Sequence, residues 1–311
     1  MSTEGSNKAI VAALGANLGI AATKFVAFLL TASSSMLAES IHSLADSGNQ
    51  VLLLVGGKRA QRPATEEHPF GFSRSRYLYA FIVSVVLFSV GGLFALYEAY
   101  HKWHEASEGH GGITSWHWVP VVVLVAAIGM EGFSFRTAIV EANHVREGRS
   151  WWRFIRETKS PELPVVLLED SAALVGLVFA LFGVSLTLIT GDGHWDAVGT
   201  AMIGLLLVAV AFLLAMETSS LLLGEGAGPE DLQKIKSALV GPGVDSVIHI
   251  RTMYVGPEEL MVAAKIAVSP TESARDITEA IDAAEVRVRS AVPIARLIFL
   301  EPDIARTAVT Q

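Results

Sequence analysis

Four stretches of this chain run for about one membrane thickness without an Asp, Glu, Lys or Arg: Tyr77–Tyr97, Ile113–Met130, Ser171–Gly191 and Ala197–Met216. A helix that crosses a bilayer needs about 20 mostly apolar residues. No water inside the bilayer can satisfy the backbone, so the segment must form its own hydrogen bonds. Two further apolar segments lie upstream, Ala9–Leu30 interrupted by Lys24, and Met36–Gly57 interrupted by Glu39, His42 and Asp46. The pattern predicts an α-helical membrane protein with six transmembrane helices, over about residues 9–31, 35–57, 77–100, 115–139, 164–190 and 195–219. The first apolar run is longer than a signal-peptide core and a second span follows it closely, so it reads as a span and not a cleaved leader.

Charge content divides the chain. Residues 1–223 hold 32 charged side chains, or 14%, whereas residues 224–311 hold 22, or 25%, the level of an ordinary soluble domain. A transmembrane domain over 1–223 and a C-terminal domain over 224–311 are therefore expected. Gly224, Gly226, Gly228 and Pro229 mark the exit from the membrane. Beyond them the patterning predicts a helix over Glu230–Val240, strands over Val244–Tyr254 and Leu260–Val268, a helix over Thr271–Ser290 and a strand over Ala295–Leu300. The second helix places Ile277, Ile281, Ala284 and Val288 on one face. The order α-β-β-α-β describes a small α+β, ferredoxin-like unit with helices on one sheet face.

The net charge of −8 is split evenly between the two parts, with no basic surplus of the kind nucleic-acid binding requires. The chain has no cysteine, which excludes disulfide scaffolds, thiolate zinc sites and cysteine nucleophiles. It has neither a Walker A motif nor a nucleophile elbow, so nothing points to an ATPase or hydrolase.

Orientation follows from the connections. Lys58, Arg59, Arg62, Arg74 and Arg76 lie between spans 2 and 3, and Arg146, Arg149, Arg153, Arg156 and Lys159 between spans 4 and 5. The other loops contribute Lys102 alone. Basic loops stay on the cytoplasmic side, which places both termini there. The connection between spans 4 and 5 also carries Trp151, Trp152 and Phe154. It reads either as a short amphipathic helix at the membrane surface or as a basic loop with interfacial aromatics.

Ionisable groups inside a bilayer are costly and generally mark an ion or proton path, or pair with one another. In span 2, His42 and Asp46 are four residues apart and point from the same side of the helix, with Glu39 one turn earlier. An imidazole and a carboxylate so placed either begin a divalent-cation site or lock helix packing through a His–Asp hydrogen bond. Span 5 adds the adjacent carboxyls Glu169 and Asp170, which a bound cation would compensate, although neighbours on a helix diverge by about 100°. Glu131 and Arg136 in span 4 could form an internal pair, and Lys24 could snorkel or meet a carboxylate. Glu131, Arg136 and Lys24 are packing or proton-path residues in this reading, and Asn17 and Asn49 helix–helix hydrogen bonds. Asp196 opens span 6, where an acid suits the helix dipole. His101, His104, His110 and His117, in the region between spans 3 and 4, read as a solvated loop or a weak external metal binder.

The segment Glu39-Ser40-Ile41-His42-Ser43-Leu44-Ala45-Asp46 and the inner-loop stretch His68-Pro69-Phe70-Gly71-Phe72-Ser73-Arg74 together resemble the cation diffusion facilitator family, as do the six spans, the basic inner loops and the α-β-β-α-β tail. The branch with the greatest likeness includes a mitochondrial zinc transporter. The resemblance implies a homodimer that exports a divalent transition metal, most simply zinc, in exchange for protons, with the lipid bilayer as its setting, no resident cofactor and no enzymatic reaction. A bacterial inner membrane or an organelle membrane is the implied location. His42, Asp46 and Asp170 match the family's transport-site ligands. The usual fourth ligand, a His four residues before the span-5 Asp, is replaced by Val166, and Glu169 is the stand-in, with Glu39 and water next. The richer oxygen character leaves manganese, iron or cobalt as further substrates. His68 matches one loop ligand, but its expected partner is Phe72. His249 matches a tail position whose companions are Lys265 and an apolar residue near Phe299. The alternative reading is a membrane metal sensor or scaffold that binds without transport. A channel is a third reading, disfavoured by the tight ligand cluster.

Overall fold

In the computed structural model, the described residues are 3–31, 34–108, 118–146 and 148–305. They divide into two compact units, one of residues 1–61 and 75–219, the other of residues 62–74 and 220–311.

The first unit is all helical: α1 (Thr3–Thr31), α2 (Ser34–Ala60), α3 (Ser75–Val86), a π-helical segment (Leu87–Leu93), α4 (Phe94–Ser107), α5 (Trp118–Arg146), a short α6 (Trp151–Glu157), α7 (Glu162–Thr190) and α8 (His194–Leu223). Its last residues, 220–223, fall in the second unit. Five of these rods are long and apolar enough to cross a bilayer: Asn7–Val26, Ser75–Ser107, Trp118–Arg146, Glu162–Thr190 and His194–Leu223. The third predicted span is thus α3, the π-segment and α4 run together. α2 has the length, 27 residues, but its first half is polar. Large apolar side chains point away from the core all around the bundle, with Phe133 64%, Phe212 63% and Leu205 61% exposed. Water would leave such a surface bare, whereas lipid covers it.

α1 packs on α2 and α5, and α5 on α7. Ala13, Leu53, Ala138, Val166 and Leu167 are among the residues that fill the core between them. Glycine sets how closely α7 and α8 approach. A Cβ placed on Gly183 would sit 2.8 Å from the Trp195 carbonyl oxygen, and one on Gly199 would sit 2.8 Å from that of Phe179. Small residues at a helix crossing in lipid allow backbones to meet where there is no hydrophobic drive to bring them together. Gly199→Val should therefore separate α7 from α8. We expect a loss of roughly 2 kcal/mol or more, from the overpacking cost, read as a lower unfolding temperature in detergent.

α6 starts at Ser150, whose side chain accepts from the Arg153 backbone N–H. Phe154 is fully buried, while Trp151 and Trp152 remain exposed. Arg146 lies 4.3 Å from the centre of the Trp151 ring. The segment is a helix and not an irregular basic loop.

The second unit holds α9 (Pro229–Leu239), β1 (Ser246–Gly256), β2 (Glu259–Ala267), α10 (Ala274–Ala291) and β3 (Ala295–Asp303), in the predicted order. The sheet order is β1-β2-β3. β1 and β2 are antiparallel, and β3 returns parallel to β2 after α10. Alternation on β2 sends Leu260, Val262, Ala264 and Ile266 inward to meet Ile235 and Leu239 of α9 and Ala284 and Val288 of α10. Ser273 and Asp276 close a reciprocal capping box at the start of α10. The 62–74 segment belongs to this unit: Ser73 Oγ donates to Glu259 at 2.7 Å, and the Arg74 guanidinium meets the Met253 sulfur at 3.1 Å.

Candidate metal site

The polar residues of the helical unit converge between α1, α2, α5 and α7. α1 contributes Asn17 and Lys24, both buried although they sit in an apolar helix. Ser40 Oγ of α2 donates to the Ala21 carbonyl at 2.9 Å, and Lys24 Nζ donates to Ser43 Oγ at 3.1 Å. These contacts pin α1 to α2 one turn from Asp46. A cavity of about 100 Å³ opens here. Lys24, Ser43, Asp46, Glu131 and Glu169 line it, as do Glu98, Lys102 and Thr200.

The two adjacent acids of α7 have different surroundings. Both oxygens of Glu169 are occupied: Asn49 Nδ2 donates at 2.9 Å and Gln50 Nε2 at 2.8 Å. Asn17 Nδ2 approaches the Gln50 carbonyl oxygen at 3.4 Å, which extends the chain of amides to α1. Asn17 and Asn49 thus make the interhelical hydrogen bonds expected of them. Asp170, 1% exposed, accepts from Ser134 Oγ of α5 at 2.7 Å through Oδ2. Its other oxygen, Oδ1, is buried and has no hydrogen-bond partner. A buried carboxylate oxygen without a donor is costly, and it is the kind of atom a cation would satisfy.

Asp46 acts electrostatically on Glu131, Glu169 and Asp170, and Lys24 acts on Glu131. Three carboxyls, those of Asp46, Glu131 and Glu169, thus line one cavity with the Lys24 ammonium, and Asp170 lies within their field. Glu131 is only 2% exposed and faces this space. Arg136, five residues later and about 140° around the helix, is exposed. Glu131 and Arg136 do not pair, because that spacing turns the two side chains apart, which leaves Glu131 as a packing or proton-path residue.

The side chains of His42 and Glu39 lie outside the described residues, as do residues His110 and His117. Among the described residues, no three His, Asp or Glu side chains stand close enough to form a ready cage. His101 and His104 belong to α4 and not to a loop; the His104 ring stacks on Tyr100, and the His101 ring lies tilted beside Tyr97. Asp196 lies in the first turn of α8 and also pairs with Lys102 at 2.9 Å. His68 is in the second unit, exposed, its ring stacked 4.5 Å from that of Phe72.

In the tail, His249 is exposed and opposite Lys265 on β2. Lys265 Nζ lies 2.9 Å from Glu301 and 3.1 Å from Asp303. These two carboxyls raise the lysine above its usual value and keep it charged. A tethered ammonium thus sits between these two acids and occupies their oxygens. The tail over 224–311 should accordingly show no stoichiometric, tight zinc binding by calorimetry and no zinc-dependent rise in its unfolding temperature. Either effect would overturn that account.

A multi-helix bundle with an apolar exterior and a buried acidic chamber is the architecture of a membrane protein that handles cations. The chain belongs to the cation efflux family: the model of the cation efflux transmembrane domain matches residues 10–223. It is 29% identical over 273 residues to the human mitochondrial proton-coupled zinc antiporter SLC30A9, covering 85% of this chain and 46% of that protein. It is 28% identical over 265 residues to metal tolerance protein C4 of Arabidopsis thaliana, covering 84% and 57%. To the magnetosome protein MamM of Paramagnetospirillum magneticum it is 25% identical over 281 residues, covering 87% and 80%. The chain spans about half the length of the zinc antiporters it matches. A nickel form of a MamM C-terminal domain variant is similar at 22% identity and a TM-score of 0.24, covering 25% of this chain and all of that one.

Proposed function

We propose that this chain is a proton-coupled exporter of divalent transition metals, with zinc as its main cargo, working as a homodimer. The observation that carries the reading is the Asp170 oxygen left buried without a hydrogen-bond donor, on a helix whose neighbouring Glu169 lines a cavity with Asp46 and Glu131. In this reading α2 is the sixth span: Ser43 and Asp46 line the cavity and Asn49 and Gln50 hold Glu169, and these inward tasks lower its apolar content. Residues 1–223 are the transport domain, and 224–311, together with the 62–74 loop, form a cytoplasmic unit that contributes to dimer contact without metal. Both termini are cytoplasmic.

His42, Asp46 and Asp170 ligate the ion. Glu169, with both oxygens held by amides, gives it less than a free carboxylate would, and chiefly orients the neighbouring groups. Binding needs the imidazole neutral and the carboxyls ionised, so protons and metal compete for the same atoms. Protons entering from the far side help to release the ion, and Glu131 is suited to pass them. The cavity is lined by Asp46 and also by Glu98 and Lys102, next to the connection read as non-cytoplasmic, which fits a conformation open away from the cytoplasm. A site with one imidazole and several oxygens accepts zinc but discriminates less against manganese, iron or cobalt than a two-histidine site would. The test is zinc flux into proteoliposomes under an imposed pH gradient. Flux that follows the sign of the gradient supports exchange. Metal binding without flux identifies a sensor or scaffold, and conductance indifferent to the gradient a channel.

A further inference from the structure

Lys24 is a buried cation in α1, at 4% exposure, and the transport account above gives it no task. Its Nζ donates to Ser43 Oγ at 3.1 Å. Ser43 lies three residues before Asp46 and so close to the same face of α2. Lys24, Asp46 and Glu131 line one cavity, and the lysine charge acts on Glu131. The other lysine in that wall, Lys102, is held by Asp196 at 2.9 Å. Ser40 bonds the Ala21 carbonyl at 2.9 Å and prevents α1 from sliding on α2 at this level.

We propose that Lys24 is a tethered counter-cation of the transport site. Its ammonium neutralises the chamber acids when no metal is bound, is pushed aside by the incoming divalent ion, and by its repulsion keeps that ion bound weakly enough to leave. The proposal rests on the transport reading. Lys24 is in this account a positioning residue that sets affinity and release and does not ligate the metal. A chamber of bare carboxyls would hold a divalent ion tightly and turn over slowly. A chamber with one built-in positive charge exchanges one cation for another, and its field changes less through the cycle.

The test compares zinc transport by the wild type, Lys24→Arg and Lys24→Gln in proteoliposomes under a fixed pH gradient. The glutamine retains a donor for Ser43 but removes the charge, so it separates the electrostatic role from a packing role. Lys24→Gln should lower KM for zinc about tenfold, the equivalent of ~1.4 kcal/mol, and lower kcat as release slows. Lys24→Arg should remain within about twofold of the wild type in both. Should Lys24→Gln fail to fold, the double change Lys24→Gln/Glu131→Gln, which removes one charge of each sign, takes its place. Its KM should then rise back at least threefold when Lys24 alone is restored. An unchanged KM in Lys24→Gln, or no such rise in the restored protein, overturns the proposal. Asp170→Asn is measured alongside: undiminished zinc flux in that variant rejects the transport site itself, whereas loss of flux there with an unchanged KM in Lys24→Gln rejects only the role of the lysine.

Discussion

Asp170→Asn should reduce zinc flux by at least about 100-fold while the protein still folds. The substitution keeps the shape of the side chain. Its amide oxygen can still accept from Ser134, which now bonds Oδ2 at 2.7 Å. What changes is the other oxygen, at present buried without a partner, which becomes an NH2 group with no charge and no lone pair for a metal. Removing residues that merely orient a ligand costs about 10–100-fold in affinity or activity, and losing the ligand itself should cost no less. Ser134→Ala is the matching control for orientation. It should fall within that 10–100-fold range and leave the metal preference unaltered. Flux by initial rate in proteoliposomes, with folding checked by the unfolding transition, separates these outcomes.

Glu169 should behave in the opposite way, with stability as the main readout. Glu169→Ala would strip the acceptor from the Asn49 and Gln50 amides together. Each buried donor left unmade costs about 1–3 kcal/mol, so the loss is roughly 2–6 kcal/mol, enough to unfold a marginal bundle. Glu169→Gln should be far milder. Asn49 Oδ1 has no partner at present. Turning that amide over would offer an acceptor to the new NH2, while Gln50 keeps its own. We expect Glu169→Gln to fold and to transport zinc at a moderately reduced rate, and Glu169→Ala to show a large drop in unfolding temperature. Equal loss of zinc affinity in Glu169→Gln and Asp170→Asn, with both proteins folded, would make Glu169 a full ligand instead.

How legible this was depends on which physical signal each element gives. The α+β tail is readable because its elements carry clean periods. β2 is a short apolar run that buries Leu260, Val262, Ala264 and Ile266 at every second position, α10 repeats Ile277, Ile281, Ala284 and Val288 at helical spacing, and the structure places their ends within a few residues of expectation. The five apolar rods are readable by length and hydropathy. α2 is ambiguous on hydropathy because the residues that serve the chamber are the ones that lower its apolar content. Gln50 and Ser134 were missed. Gln50 sits at the edge of the apolar run Val51–Val55 and looks like a boundary residue, yet it is fully buried and bonded to Glu169. Its available signal was its place beside Asn49, in a segment with no other reason to be polar. Ser134 lies three residues after Glu131, on neighbouring parts of one helix face, which would have marked both as facing inward. That spacing would also have argued against pairing Glu131 with Arg136. The π-helical turn at Leu87–Leu93 has no sequence period of its own. Such turns arise from a single extra residue accommodated by packing and are frequent near functional sites; here Leu87 lines the cavity.

The account stands most directly on where the metal goes. Anomalous scattering at the zinc edge, from crystals of the full chain soaked in zinc, would locate it. The account predicts one strong peak between α2 and α7, about 2.0–2.2 Å from carboxylate oxygens of Asp46 and Asp170, and no ordered peak between Lys265, Glu301 and Asp303. A peak in the tail with none between α2 and α7 would contradict it.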